Sequence, residues 1–304
     1  MMIGVDVHDR AVAALAVDES GAIVSRASAA AGPGSDLAAA AVAAVERVTP
    51  AGGGAVSIGV AASTGDAAAS RALDALTSRY AALFRSRALI GAGTAAAVAE
   101  AWVGAARGIP DVVYFAVADH ASAGIVRDGR AVTGAHGREP AVGWLALNPV
   151  EREDYRKAGC LEAEVAAAGI VRRLVWRIKA GDRSRVQDAV NGDLSAITAD
   201  AVLAAARDKD GVSISVMRDT AKYLGMAAAN LVVLADPSML VLGGIMASAS
   251  DLLTEPILWE LGRRLPGPLM DALRISTATL GLEAAAIGAA RHAAAASPSA
   301  TPVP

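Results

Sequence analysis

Short apolar runs separated by polar turns open the chain and predict neighbouring buried strands. The first three runs are residues 3–7, 11–18 and 22–26. Three comparable runs follow at residues 112–117, 123–127 and 130–133. In the second set, Asp128-Gly129 is a typical hairpin turn signal. The repetition predicts that one strand–turn–strand unit occurs twice.

Longer Ala-rich or periodic segments after each set of strands predict helices. These segments are residues 37–48, 67–80, 94–107, 162–180, 219–234 and 251–265. Two further apolar runs, at residues 55–60 and 239–242, predict buried strands. Because the order of three strands followed by helices occurs twice, the pattern favours two related lobes around a cleft.

Composition limits the core and the partners of the protein. A chain of 304 residues favours two lobes over one. Hydrophobic residues make up 54 % and aromatic residues only 3 %, so the core must consist of Ala, Val, Leu and Ile. A net charge of −3 argues against nucleic acid as a direct partner. A single Cys excludes a disulfide within the chain and suits a reducing cytoplasm.

No segment of the sequence predicts membrane insertion or secretion. The longest uncharged stretch, residues 48–65, is rich in Pro, Gly, Ser and Thr, which is typical of a loop and a strand. The first ten residues include Asp6 and lack the basic region of a signal peptide. We therefore expect a cytoplasmic protein, with a low-complexity, disordered tail at residues 293–304.

Four segments resemble the ROK family of sugar kinases and sugar-responsive repressors. They read EAWVGAARG at 100–108, GCLE at 159–162, DPSMLVLGG at 236–244 and LGLEAAAIGAA at 280–290. The resemblance implies an α/β, two-lobed actin/hexokinase-like fold, in which RNase H-like lobes carry mixed sheets flanked by helices. It divides the chain into an N-terminal lobe, a C-terminal lobe, a final helix returning to the N-terminal lobe and the tail. These regions are residues 1–110, 111–280, 281–292 and 293–304.

The family's catalytic base has no counterpart in the corresponding segment. The family places an Asp in an N-D-A-N segment before E-A-W, and residues 91–94 here read GAGT, with Ala92 at the Asp position. A general base contributes roughly 10²–10⁴-fold to the rate, and an alanine cannot supply it. We therefore assign no catalytic residue. Thr94, a polar residue of the same segment, is assigned to substrate binding.

The first phosphate loop of the family, D-x-G-G-T, has also changed. Asp6 is retained at the position where the family's Asp organises magnesium, but His8, Asp9 and Arg10 follow it. Glycines let peptide N–H groups approach a phosphate closely, and these side chains prevent that approach. Two interpretations remain, an ordinary turn or a site where His8 or Arg10 binds a smaller anion.

The second phosphate loop carries a negative charge. Ala118-Asp119-His120 replaces a Gly-rich run, so Asp119 would face the γ-phosphate of ATP. Two like charges about 4 Å apart cost roughly 4 kcal/mol at an effective dielectric constant of about 20. Gly243 and Gly244 retain the turn on the adenosine side, which also serves the backbone of the lobe. We predict no cofactor, with ATP and magnesium expected only if kinase activity is retained.

Two further candidates for substrate binding, Glu162 and Trp144, stand at positions where the family contacts its sugar. Glu162 of GCLE corresponds to a glutamate that binds a sugar hydroxyl, although a glutamate at a helix start is also favourable for electrostatic reasons. The family's E-x-G-H element has become Ala141 to Trp144. Trp144 could stack on a sugar ring or fill the volume of a missing zinc site, and we favour filling.

The structural zinc site of the family is not expected. Glu153, Tyr155 and Cys160 occupy its three Cys positions, and Trp144 replaces its His. One thiolate without that His cannot form a tetrahedral site. We therefore predict that no metal is bound and that Cys160 is a small buried residue.

Three functions follow from this resemblance. The first is a non-catalytic, regulatory protein that binds a sugar or another metabolite. The second is an ATP-dependent sugar kinase with substituted active-site residues. The third is the effector domain of a ROK-type transcriptional regulator that lacks its helix-turn-helix. Because the first loop begins at Ile3, we expect no direct DNA binding. We expect a homodimer through helices 162–180 and 219–234, with Trp176 as the anchor.

Overall fold

A computed structural model describes residues 1–8, 11–30, 35–49, 56–62, 67–136 and 139–296 of the chain. Over these ranges the strands form two five-stranded sheets flanked by helices, which confirms the predicted fold class. The strands are β1 Met2–Val7, β2 Ala11–Val17, β3 Ile23–Ala30, β4 Val56–Ala62, β5 Phe84–Gly91, β6 Val112–Val117, β7 Ala121–Arg127, β8 Arg130–Ala131, β9 Met239–Gly244 and β10 Arg274–Thr277.

The α-helices cover the sheets and range from four to 25 residues. They are α1 Leu37–Val48, α2 Ala67–Arg79, α3 Ala92–Trp102, α4 Glu153–Ala158, α5 Cys160–Val165, α6 Ala167–Lys179, α7 Arg185–Ala189, α8 Ala199–Arg207, α9 Gly211–Ala235, α10 Ile245–Ser248, α11 Ser250–Arg264, α12 Gly267–Ala272 and α13 Ala284–Ala295. No helix in the described ranges is both long enough and apolar enough to span a bilayer.

The first sheet has the strand order β3-β2-β1-β4-β5. Strand β1 is antiparallel to β2 and parallel to β4, and β4 is parallel to β5. In this register Asp6 pairs with Ala61, and Ala61 pairs with Ile90. The carboxyl ends of β1, β4 and β5 therefore meet at one edge of the sheet, which is where open α/β sheets bind their ligands.

The second sheet has the order β10-β9-β6-β7-β8, with β9 and β10 parallel and β7 and β8 antiparallel. The chain forms two compact units. The first comprises Met1–Tyr114, Ala123–Pro140 and Ala278–Pro304, and the second comprises Phe115–Ser122 and Ala141–Thr277. The predicted division differs from these units, because Ala123–Pro140 lies within the predicted C-terminal lobe, residues 111–280, but belongs to the first unit.

Helix α1 shows how closely local sequence can fix an element. The side chain of Asp36 accepts hydrogen bonds from the peptide N–H groups of Ala38 and Ala39, at 3.0 and 3.2 Å. Alanines, the strongest helix formers, fill the following turns. Val45 and Val48 are buried against the first sheet. The helix has the predicted bounds.

Several predicted elements require correction. The segment 94–107 is helical from Ala92 only to Trp102, and 162–180 is divided by Ala166 into α5 and α6. Strands β5 and β10 were missed altogether. The final helix runs from Ala284 to Ala295, so residues 293–295 are helical and not a disordered tail. The tail at 297–304 lies outside the described residues.

Candidate functional site

In the first unit, Asp6 lies near the carboxyl end of β1, at the edge of the first sheet where β1, β4 and β5 end. Asp6 is 1 % exposed, and its Oδ2 lies 2.6 Å from Nε2 of His8. Its Oδ1 is buried and forms no hydrogen bond among the described residues. The carboxylate is thus positioned by β1 but only half satisfied. Asp9 and Arg10, the other residues predicted in this loop, lie outside the described residues.

Helix α3 starts at the same edge, directly after β5. Ala92 is its first residue, so no carboxylate comes from the family's base position. Thr94 is fully buried, and its Oγ1 has no hydrogen-bond partner among the described residues. Buried polar groups are rarely left unpaired, so Thr94 and Asp6 mark a local deficit of hydrogen-bond partners.

A carboxylate that the sequence analysis missed lies at the start of α3. Oε2 of Glu139 accepts hydrogen bonds from the peptide N–H groups of Gly93, at 2.7 Å, and Thr94, at 3.3 Å. The first N–H groups of a helix have no partner within the helix, and an anion is favoured there. Glu139 is 46 residues from Gly93 in sequence. Its only sequence signal is an acidic residue in a Gly-flanked segment.

Glu100 of the E-A-W segment is a structural residue of the first unit. It has no exposed surface. Its carboxylate accepts hydrogen bonds from the peptide N–H groups of Ala105, Thr279 and Leu280 at 2.7 to 3.0 Å, and from the Thr279 hydroxyl at 3.2 Å. Burial raises the pKa of the neighbouring Tyr114, and the charges of Glu100 and Asp6 raise it further. Glu100 therefore joins the end of α3 to the segment that precedes α13.

In the second unit, Glu162 connects α5 to the loop after β6. Its Oε1 lies 3.0 Å from Nδ1 of His120, and its Oε2 accepts the peptide N–H of Ala121 at 3.0 Å. Glu162 is the third residue of α5, and its side chain is 20 % exposed. The carboxylate thus reaches the surface next to the exposed loop that contains Asp119.

Trp144 ends a short 3₁₀ turn, Val142–Trp144, in the same unit. It is 58 % exposed, so the prediction that its ring fills a buried volume is wrong. The neighbouring Gly143 lies against Glu162, because a Cβ at residue 143 would be 3.1 Å from Oε2. The alternative interpretation, stacking on a ligand ring, stays a prediction.

Gly244, at the end of β9, is required by the backbone. Its φ is +59°, and a Cβ would lie 2.0 Å from the carbonyl oxygen of Val117. Non-glycine residues rarely adopt such a φ, and a carbonyl at that distance leaves no room for one. Retention of Gly244 therefore has a structural cause that is independent of any nucleotide.

The three positions of the family's zinc cysteines form no metal site in the described structure. Cys160 is buried, Tyr155 donates its hydroxyl to Glu164, and Glu153 pairs with Lys157 on the surface. Among the described residues, no group of three His, Cys, Asp or Glu side chains could hold a metal ion. These three residues do not fit a zinc ion. Tyr155 and Glu153 instead bond to Glu164 and Lys157 within the same segment.

The two mixed sheets and their flanking helices define an α/β protein of the actin/hexokinase-like class. A sequence model of the ROK family matches residues 91–296, more than half of the chain. The chain belongs to the ROK family.

Relatives of two kinds match the chain. A glucokinase of Halalkalibacterium halodurans is 31 % identical over 196 residues, which cover 64 % of this chain and 59 % of the relative. The N-acetylglucosamine repressor of Shigella flexneri is 29 % identical over 162 residues, covering 53 % of this chain and 38 % of the relative. The chain thus matches less than two thirds of the length of both relatives.

Solved structures extend the likeness to the whole fold. A ROK family glucokinase from Streptomyces griseus, in complex with glucose and AMPPNP, has a TM-score of 0.78 and 25 % identity, with 96 % of this chain and 99 % of that chain covered. A ROK family transcriptional regulator has a TM-score of 0.79 at 19 % identity, covering 95 % of this chain and 76 % of that chain, and supports the fold alone.

Proposed function

We propose that this protein is a non-catalytic ROK protein that binds a sugar or a related metabolite and acts in regulation. The observation that carries the proposal is Ala92 as the first residue of α3, where the family's base would stand. Asp119, in the exposed loop after β6, adds a charge that opposes a phosphate group. Glu162 and Trp144 remain partly exposed as groups that could hold a sugar hydroxyl and a sugar ring.

One observation favours a second candidate, an ATP-dependent sugar kinase. Glu139 brings a carboxylate to the start of α3 although position 92 has lost one. In that case Glu139 would accept the proton of the sugar hydroxyl, Asp6 would help to hold magnesium, and magnesium would supply charge neutralisation on ATP. The likeness to the N-acetylglucosamine repressor favours a third candidate, a regulator's sugar-sensing domain.

Sugar binding without turnover is the expected result for the purified protein. Glucose, N-acetylglucosamine and xylose, tested by thermal shift, should include at least one stabilising sugar, because a ligand at about 100 times its Kd stabilises the folded state by about 2.7 kcal/mol. A coupled assay of ADP release should stay at background with each sugar. Glu162→Gln should reduce the thermal shift, whereas Glu46→Gln, on the exposed face of α1, should not.

Two outcomes would contradict this function. Sugar-dependent ADP release that is lost in Glu139→Gln would support the kinase and remove the non-catalytic proposal. No stabilisation by any of the three sugars would remove these sugars as ligands.

We further propose a homodimer anchored at Trp176, which is 52 % exposed on α6. The guanidinium groups of Arg152 and Arg172 lie 4.5 and 5.4 Å from its ring centroid and hold the ring in place. Light scattering at micromolar concentration should give a dimer mass, and Trp176→Ala should shift it towards the monomer. Leu282→Ala is the control, since Leu282 is an apolar residue that is 92 % exposed and belongs to the first unit, outside the two helices of the proposed interface. A monomeric wild-type protein would contradict the proposal.

A further inference from the structure

We infer that Glu139 is a ligand-binding residue of this protein, supplying a carboxylate for a sugar hydroxyl at the start of α3. The inference rests on the proposed sugar-binding function and adds a residue that its sequence motifs do not include. It concerns the first unit alone, at the edge where β1 and β5 end.

The contact between Glu139 and Gly91 indicates a built arrangement. A Cβ at residue 91 would lie 2.5 Å from Oε2 and 2.7 Å from Cβ of Glu139, so the space that a side chain at position 91 would use contains Glu139 instead. Pro140 restricts the backbone of Glu139 to extended conformations and thereby limits its movement. Glycine at 91 and glutamate at 139 thus depend on each other.

Two buried polar atoms in the same unit point to a ligand at this edge. Oδ1 of Asp6 and Oγ1 of Thr94 form no hydrogen bonds among the described residues, and both residues are at least 99 % buried. Thr94 follows Gly93 in the turn that Glu139 holds, and Asp6 is two strands away from Ile90 in the register. A polyhydroxylated ligand supplies donors and acceptors together, which suits a carboxylate and a hydroxyl.

The chemistry of a carboxylate allows both tasks at once. An ionised carboxylate has about four acceptor sites, so one group can hold the start of a helix and accept a hydrogen bond from a sugar. A hydrogen bond to a charged group contributes more than one between neutral groups. Replacement of this carboxylate should therefore weaken binding measurably even where the helix is retained.

Isothermal titration calorimetry with glucose, N-acetylglucosamine and xylose tests the inference. We expect Glu139→Gln to weaken the binding of whichever of these sugars the wild-type protein binds by about 10- to 100-fold. Glu46→Gln, a carboxylate-to-amide change on the exposed face of α1, should leave the affinity within about twofold.

The outcomes separate the inference from the function on which it rests. Equal affinity in the wild type and Glu139→Gln would overturn the inference and leave sugar binding intact. Absence of binding by the wild-type protein to all three sugars would overturn both. A purely structural role predicts an altered melting temperature in Glu139→Gln with an unaltered Kd, which also counts against the inference.

A double-mutant cycle tests the arrangement without any ligand. Gly91→Ala should destabilise the protein in the wild-type background and have a much smaller effect in Glu139→Gly, where the clashing atoms are gone. Equal destabilisation in both backgrounds would show that Glu139 is not against Gly91, and would overturn the inference.

Discussion

Gly288→Ala should unfold the protein or destabilise it by more than about 4 kcal/mol, because helix α13 has no room for a side chain at this position. A Cβ there would lie 1.7 Å from the carbonyl oxygen of Ala95 in α3. Helix α13 packs equally closely against β1, because a Cβ at Gly4 of β1 would lie 1.8 Å from the carbonyl oxygen of Ala286 in α13. These obstacles are backbone atoms, so relief requires α13 to move away from α3 and β1.

Urea unfolding followed by circular dichroism measures this effect. Gly262→Ala is the matched control, since Gly262 lies inside α11 and a Cβ there would meet nothing within 4 Å beyond the backbone of its own helix. Alanine is the better helix former, so this variant should be stabilised by roughly 0.5–1 kcal/mol. A Gly288→Ala variant as stable as the wild type would show that α13 does not pack as closely as described.

Arg173→Met should cost about 3–5 kcal/mol, because it leaves the buried carboxylate of Glu164 without its main cation. Glu164 is 4 % exposed and accepts hydrogen bonds from Arg173 and from the hydroxyl of Tyr155. Nη1 of Arg152 lies 3.5 Å from Oε1 of Glu164. Burial and the hydrogen bond to Glu164 raise the pKa of Tyr155, so its hydroxyl remains a donor at neutral pH.

The control for this prediction is a salt bridge in the same region. Lys157 and Glu153 pair at 2.7 Å on the surface of α4, with 73 % and 82 % of their side chains exposed. Lys157→Ala should therefore cost less than about 1 kcal/mol. The combined variant Glu164→Met with Arg173→Met should lose less stability than Arg173→Met alone, since no unpaired charge remains.

Unfolding in urea also tests whether the contacts of Glu153, Tyr155 and Glu164 stabilise this segment without a zinc ion. A chelator should leave the unfolding midpoint unchanged, and metal analysis should find no stoichiometric zinc. About one zinc per chain, or a large loss of stability in the chelator, would contradict the structural assignment of Glu153, Tyr155 and Cys160.

The local hydrophobic pattern predicted those elements whose own residues show both that the element is buried and where it ends. Strand β6 and helix α1 have the predicted bounds, because β6 is uniformly apolar and α1 is Ala-rich between Asp36 and Thr49. Strand β5, which reads FRSRALIG, was missed since arginines alternate along its more exposed face. Strand β10 has four residues, none of them fully buried, which is too short for a period-2 signal.

The amino-acid sequence alone determined the ROK family, the α/β class and most helices and strands, because periodicity and short motifs are local properties of the chain. Only the tertiary structure showed Glu139 at the start of α3 and the close approach of Gly288 to Ala95. It also decided that Glu100 is a structural residue, since its partner Thr279 is 179 residues away in sequence. Such contacts depend on which distant segments the fold brings together, and no spacing within one segment encodes them.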